Sequence, residues 1–246
     1  EDYPVSEDFL QTDRDYYGAE VNSAPFNAAT RDAINSWVNY QTGGKIEKIL
    51  DEMDPDAVMY LVNALAFSAT WRKEYITSDV KEEPFHAASG DTQAELMYSD
   101  EYWYLRDENT AGFLKDYENN RFCYAVLLPQ EGTSLDDYVA SLTGEKLTAL
   151  MANASQERIH AVMPKFTTEY STELGAVLQT MGMTDAFDKN KADFSVMSPE
   201  AKETRLRIGR VLHKTFLQVN ETGTEAAAAT TVEMVAESTA IPQEYK

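Results

Sequence analysis

The stretch that most constrains this chain runs from residue 223 to residue 246 and reads GTEAAAATTVEMVAESTAIPQEYK. If the run is extended, alternate side chains point to opposite faces. One face then carries Glu225, Glu233 and Glu237, whereas the other has no charge as far as residue 236. An extended run with one uncharged face can be an exposed loop in one state and a half-buried strand in another. The uncharged face comprises Thr224, Ala226, Ala228, Thr230, Val232, Met234 and Ala236.

A surface helix or a flexible tail is the competing prediction for this stretch. The four alanines from Ala226 to Ala229 have strong helix propensity. Thr230, Thr231 and Val232 disfavour a helix, because β-branched side chains are restricted at χ1. No apolar stripe at helical spacing crosses the run, whereas the alternation of period two holds along it. Composition alone therefore leaves both predictions open.

Length and charge limit the possible classes of protein. A chain of 246 residues has room for one large domain or two small ones. The 42 acidic residues outnumber the 21 basic ones, and the net charge of −21 disfavours nucleic acid and anionic membranes as partners. No apolar run of about 18 residues predicts a membrane span. The opening EDYPVSEDF resembles a piece of a longer chain, so the question of a signal peptide stays open.

Residues that could carry enzyme chemistry are few. The single cysteine, Cys123, lies in an apolar run and is expected to be buried, and alone it cannot form an internal disulfide. Of the three histidines, His86 and His160 have no metal ligands at useful spacing, and His213 lies on a predicted strand. No HExxH, CxxC, GxSxG or phosphate-binding glycine loop occurs. We expect no metal, no cofactor and no enzyme, with an acidic hydrolase of dispersed active site as a remaining alternative.

The predicted elements mix helices and strands without a βαβ rhythm, which indicates an α+β fold. Asn27 is the expected N-cap of a helix that ends at Gly43 and Gly44. The run from 57 to 71 is apolar on both faces and is expected in the middle of a sheet. Other helices are predicted at 5–17, 135–151 and 170–181, and other strands at 122–129 and 205–220.

Several segments resemble the serpin family, in the family's order and over nearly all of the chain. The run LHKTFLQVNETGTEAAAAT (212–230) is similar to a serpin strand that ends in a hinge. The run NAATRDAINSWVNYQTGGKIEKIL (27–50) resembles the helix across the main sheet, and VNALAFSATW (62–71) resembles its central strand. Further matches are AVLLPQEGTSLDDYVASLT (125–143), MPKFTTEYSTELGAVLQTMGMTDAFD (163–188) and KADFSVMS (191–198).

The resemblance implies a serpin-like α+β fold with a large central mixed β-sheet, two smaller sheets and a helix layer. It implies a single domain over residues 1–246, with a reactive-centre loop at 221–246. N-terminal helices, one sheet strand and two C-terminal core strands are expected to lie outside this chain. The hinge at 221–230 comprises Glu221, Gly223, Thr224, Glu225, Ala226, Ala227, Ala228, Ala229 and Thr230.

The resemblance also implies a function, namely suicide-substrate inhibition of serine proteases. A protease cleaves the loop, forms an acyl-enzyme, and is trapped when the freed loop inserts as a new strand in a metastable protein. New backbone hydrogen bonds, each about 1 kcal/mol, and burial of the even-numbered face are expected to drive insertion. The small hinge residues favour an inhibitor, and a non-inhibitory carrier or chaperone is the alternative.

The resemblance also implies a reactive bond, because serpin loops usually keep a fixed count from the hinge glycine, and from Gly223 that count predicts Glu237–Ser238. The similarity of IPQEYK to the family's downstream segment predicts Thr239–Ala240 instead. An acidic residue before the bond suits a glutamyl-specific protease, whereas small and apolar neighbours suit an elastase- or subtilisin-like enzyme. We expect a monomer that forms a covalent complex with its target protease, outside the cell or at its surface, with a cytoplasmic location left open.

Asn63, Trp71 and His213 form the predicted strand-opening region. By resemblance, His213 hydrogen-bonds neighbouring strands where the sheet parts, with Asn63 as one partner. Trp71 ends the central strand, near the place where insertion begins. The alternatives are an ordinary core histidine and an ordinary aromatic residue at a sheet end.

Overall fold

The structure, a computed structural model, describes residues 3–54, 56–87 and 89–236. Its helices and strands mix as predicted, and the α+β class is confirmed. The helices are α1 (Glu7–Tyr17), α2 (Ala28–Gln41), α3 (Leu135–Ser141), α4 (Gly144–Ala152) and α5 (Gly175–Thr180). The strands are β1 (Ala57–Thr70), β2 (Val80–Ala87), β3 (Gly90–Arg106), β4 (Thr110–Asp116), β5 (Cys123–Pro129), β6 (Ser155–Pro164), β7 (Phe166–Glu173), β8 (Arg207–Val219) and β9 (Gly223–Val235).

Capping side chains set the helix ends. Asn27 accepts a hydrogen bond from the Thr30 N–H at 3.1 Å and so begins α2 as predicted. Gly43 and Gly44 follow the end of α2 with φ of 60° and 82°, a region that favours glycine. The single helix predicted over 135–151 is wrong, since Thr143 accepts the Lys146 N–H and begins a second helix, α4.

The helix predicted over 170–181 is also wrong in its first part. Residues up to Glu173 belong to β7, and α5 begins only at Gly175. A long-range contact decides this, because the Glu173 carboxylate accepts the N–H groups of Val211 (2.9 Å) and Gly175 (2.8 Å). The Leu174 N–H also donates to the Val211 carbonyl at 2.8 Å. Pairing with β8 therefore overrides the local helix preference.

Four of the strands form one sheet, in the order β1-β9-β8-β7. β8 and β9 are a hairpin joined through residues 220–222. The Trp71 N–H donates to the Thr222 carbonyl, and the Ala236 N–H donates to the Asp56 carbonyl. The end of β1 therefore lies beside the start of β9, and the start of β1 lies beside the end of β9. The two strands are thus antiparallel.

The expectation that β1 lies in the middle of a sheet is wrong for the described residues. There β1 has one strand neighbour, β9, and its Leu65 is 65% exposed. Apolar residues on both faces indicate that both faces of a strand can be buried by packing. They carry no information on which strands pair with its edges.

A second sheet has five strands, in the order β2-β3-β4-β5 with β6 also paired to β3. The β2–β3 ladder runs from Val80 opposite Met97 to Ala87 opposite Gly90. β3 has 17 residues, and its pairing with β6 is irregular between Glu101 and Trp103. The resemblance implies two smaller sheets, whereas β3 joins the described strands β2, β4, β5 and β6 into one sheet.

The chain divides into two compact units. One is built from the described residues of Glu1–Ala66, Glu169–Phe216 and Ala226–Lys246. Its cores gather Val38, Ile46, Leu50, Ala227 and Ala229, and separately Met197, Ala201, Leu206 and Met234. The other unit comprises Phe67–Thr168 and Leu217–Glu225, with a core of Trp71, Tyr75, Met97, Phe113, Tyr117, Ala161, Met163 and Val219. The single-domain assignment stays a prediction.

The side chain of Cys123 is exposed, so its predicted burial is wrong. It begins β5, where Tyr124 and Val126 pack against the core of their unit. Cys123 alternates with these residues and therefore takes the opposite, solvent face. Within the described ranges, no helix is long and apolar enough to cross a membrane.

Candidate functional site

The hinge residues from Gly223 onward belong to strand β9, which lies between β1 and β8. The extended alternative therefore holds in this structure, and the helical alternative for this stretch is wrong over 223–235. Pairing on both edges supplies backbone partners for small residues that have few side-chain contacts of their own.

The start of β9 is held against Trp71. The Asn220 side chain accepts the N–H groups of Thr222 (3.0 Å) and Gly223 (3.1 Å), and the Trp71 indole donates to the Asn220 carbonyl at 2.8 Å. A Cβ atom at Gly223 would collide with the Ala69 carbonyl oxygen, so only glycine lets the strands approach this closely. The structure therefore brings the predicted residues Trp71 and Gly223 into one local cluster.

Lys165 is a residue of this cluster that sequence reasoning missed. Its ammonium group donates to the Glu221 carboxylate at 2.8 Å and lies 3.3 Å from Glu95. The hydrogen bond from Lys165 holds the pKa of Glu221 below its usual value, and the pKa of Lys165 is raised in return. A single lysine 56 residues before its partner gives no local pattern that predicts this pair.

His213 lies at the middle of the hairpin, where its Nδ1 is 2.8 Å from the Thr230 Oγ1. Asn63, its predicted partner, is an exposed residue of β1. Since β9 separates β1 from β8, this structure brings His213 to the hinge strand rather than to β1. A contact between Asn63 and His213 stays a prediction for an arrangement without β9 between the two strands.

The burial of β9 differs from the prediction that the even-numbered face is the buried one. Thr224 is buried as expected, at 3% exposure. From 226 to 233, however, the even-numbered residues are half-buried and the odd-numbered ones are buried. The odd-numbered side packs in the core that includes Val38 of α2. The buried odd-numbered residues are Ala227, Ala229, Thr231 and Glu233.

The far end of β9 carries a buried carboxylate. Glu233 is 2% exposed, and its Oε2 accepts hydrogen bonds from the Tyr60 hydroxyl at 2.7 Å and the Arg210 Nε at 3.0 Å. Tyr60 in turn accepts the Asp54 N–H at 2.8 Å. Burial, and then the hydrogen bond to Glu233, raise the pKa of Tyr60 to about 12. Burial works against the charge of Arg210, but Glu233 outweighs it and raises the Arg210 pKa.

The predicted reactive-bond residues Glu237, Ser238, Thr239 and Ala240 lie outside the described residues. The other two histidines are exposed, with His86 2.8 Å from Asp91 and His160 2.6 Å from Asp100. Among the described residues, no group of three or more His, Cys, Asp or Glu side chains could hold a metal ion.

Comparisons with known proteins agree on one family. A family model described as Serpin (serine protease inhibitor) matches residues 1–246. Serpin B10 of Bos taurus is 35% identical over 239 residues, which cover 93% of this chain and 59% of that protein. The chain thus spans about three-fifths of the length of the curated relatives it matches.

Two solved structures share the fold. The thermophilic serpin tengpin, in its latent state, is 41% identical with a TM-score of 0.89, over 95% of this chain and 65% of tengpin. Thyroxine-binding globulin complexed with thyroxine-fluoresein is 27% identical with a TM-score of 0.87, over 96% of this chain and 70% of that one.

Proposed function

Because this chain belongs to the serpin family, we propose that it acts as a suicide-substrate inhibitor of serine proteases. The observation that carries the proposal is the position of β9, whose residues 223–235 pair between β1 and β8. The segment expected to be an exposed loop can therefore serve as a sheet strand. A protease that cleaves such a loop would be carried along as the strand enters.

The proposed mechanism is a race between two steps. The serine of the protease attacks the loop and leaves an acyl-enzyme, which either hydrolyses or is trapped by insertion. The 13 residues of β9 span roughly 43 Å when extended, so insertion would move the bound protease a comparable distance. Each new backbone hydrogen bond contributes about 1 kcal/mol, and β9 forms them on both edges.

The hinge composition supports an inhibitor over a carrier or chaperone. Thr224, Ala227 and Ala229 are buried in β9, where a bulky or charged side chain would meet packed neighbours. The carrier alternative draws on the similarity to thyroxine-binding globulin, which shares the fold. Cleavage of the loop without a covalent complex would favour that alternative.

The target and the location of the protein are further parts of the proposal. We retain Glu237–Ser238 as the reactive bond, with Thr239–Ala240 as the alternative. The corresponding targets are a glutamyl-specific protease or an elastase- or subtilisin-like enzyme. The names of the relatives state no cellular location, so placement outside the cell stays a prediction.

The test is incubation of the protein with a panel of serine proteases. A covalent complex that survives SDS and heat supports inhibition, and mass spectrometry of the released C-terminal peptide identifies the cut. Thr224→Arg, which places a charge at the buried start of β9, should lose this complex, and Thr224→Ser is its matched control because it keeps a small hydroxyl residue. Loop cleavage at every ratio of protein to protease, with no complex, would refute the proposal.

A further inference from the structure

Three residues receive the last part of β9, and we define Tyr60, Gly209 and Arg210 as the terminal seat. We infer that Gly209 and Arg210 are positioning residues for loop insertion, which select a carboxylate at 233 and accommodate Val235. This inference rests on the proposed inhibitory function. The hinge decides whether insertion starts, whereas the terminal seat decides whether the strand enters to its end.

The first step of the argument is the charge of Glu233. A carboxylate taken out of water is unfavourable unless it is paired and hydrogen-bonded. The Glu233 side chain is 3% exposed, and two donors on two different strands, Tyr60 and Arg210, meet its Oε2. Arg210 is itself held, since its Nη2 donates to the Glu52 carbonyl at 3.3 Å. The partners of Glu233 are therefore already in place at this position in the sheet.

The second step is the space above Gly209. A Cβ atom there would lie 2.8 Å from Val235 Cγ1, 3.2 Å from Val235 Cγ2 and 3.3 Å from Glu233 Oε1. Valine is stiff at χ1, so the side chain cannot swing away without moving its backbone. Glycine within a strand marks such close approaches. Gly209 thus leaves room for two side chains of β9 at once.

Both observations concern the same two residues of β9. The carboxylate of Glu233 and the methyl groups of Val235 fit against adjacent positions of β8, namely 210 and 209. A loop with an apolar residue at 233 would leave Arg210 without its carboxylate. A serpin loop with other residues at 233 and 235 would insert its hinge residues into this sheet, but its last part would not reach the terminal seat.

Hydrogen–deuterium exchange of the protein with β9 in its sheet tests the space above Gly209. We expect Gly209→Ala to speed exchange of the amides at 233–235 roughly tenfold, with little change at 226–229. Gly209→Ala combined with Val235→Ala should restore slow exchange, because it removes the methyl groups that collide. Gly144→Ala is the matched control, since a Cβ there meets nothing within 4 Å. Unchanged exchange at 233–235 in Gly209→Ala, or failure of the double variant to restore it, would overturn the inference.

A double-mutant cycle of Arg210→Gln and Glu233→Gln tests the charge. Each single variant should speed exchange at 233–235 roughly tenfold, and the double variant should add little more, since coupled residues are non-additive. Additive effects would overturn the role of Arg210. Exchange needs no protease, so altered exchange without a covalent complex refutes only the proposed function. A covalent complex with unaltered exchange refutes only the terminal seat.

Discussion

The Nδ1 atom of His213 lies 2.8 Å from the Oγ1 atom of Thr230, so β8 holds the middle of the hinge strand through a side-chain pair. Sequence resemblance assigns His213 a partner on β1, Asn63. In this sheet β9 lies between β1 and β8, and the Thr230 hydroxyl of β9 is the hydrogen-bond partner of His213. A contact between His213 and Asn63 stays a prediction for a sheet in which β9 does not separate β1 from β8.

Removal of the Thr230 hydroxyl should weaken the form with β9 in the sheet. Thr230→Val keeps the shape but leaves the half-buried His213 ring nitrogen without this partner, at a cost of about 1 kcal/mol. For a chain of this size, that corresponds to a melting temperature lower by about 2–4 °C. Thermal unfolding followed by circular dichroism measures it, with Thr230→Ser as the control that keeps the hydroxyl. An equal loss in both variants would contradict a role for the pair.

Thr224→Arg should turn the protein from an inhibitor into a substrate. Thr224 is almost fully buried at the start of β9, and a buried, unpaired guanidinium costs several kcal/mol. Slower insertion lets the acyl-enzyme hydrolyse before it is trapped. The measurement is the number of inhibitor molecules consumed per protease inactivated, which should rise well above the parent value. An unchanged ratio would show that position 224 does not enter the sheet during inhibition.

Tyr60 should titrate unusually late, with a pKa of about 12, because it is buried and donates to Glu233. Since the folded pKa is raised, its contribution to stability is complete below pH 10 and is lost as the pH rises through about 12. NMR of ring-labelled tyrosine measures the titration, and Tyr60→Phe assigns the signal. Glu233→Gln should move the Tyr60 pKa towards 10.

Tyr75 is the internal control for this titration. Burial raises its pKa to about 12 as well, but its neighbours are Ser99, Glu101 and Asp79 rather than Glu233. Its titration should therefore be the same in Glu233→Gln and in the parent. If the pKa values of Tyr60 and Tyr75 both changed in Glu233→Gln, the cause would be a general loosening of the fold. The result would then not support a specific contact between Tyr60 and Glu233.

Glu237→Arg should exchange one target for another if Glu237–Ser238 is the reactive bond. A glutamyl-specific protease needs an acidic residue before the bond, whereas a trypsin-like protease has an acidic pocket that takes arginine. The variant should lose the covalent complex with the first enzyme and gain it with the second. Peptide mapping of each complex identifies the bond that was cut. A cut after Thr239 in the parent, with no effect of the exchange, would favour the alternative bond.

Several features follow from local sequence, because the interactions that create them lie within a few residues. The alternation from 223 onward predicts an extended segment, and β9 is one. Asn27 begins α2 through the N–H of a residue three positions later, and Gly43 and Gly44 follow its end with positive φ. The ordered serpin-like segments predict the family, which the family model matches over 1–246.

Other features depend on contacts far apart in sequence, and only the tertiary structure decides them. Alternation shows which residues share a face, but it does not show what covers that face. Alternation therefore predicts that the face with Glu233 is exposed. Arg210 and Tyr60, which are 23 and 173 residues away, instead make burial of its carboxylate possible. Gly209 lies within a strand, where no turn requires a glycine. Its reason is visible only in the folded sheet, because Val235 lies close to where a Cβ atom would be. Burial and hydrogen bonding belong to the packed sheet, and no single segment contains both partners.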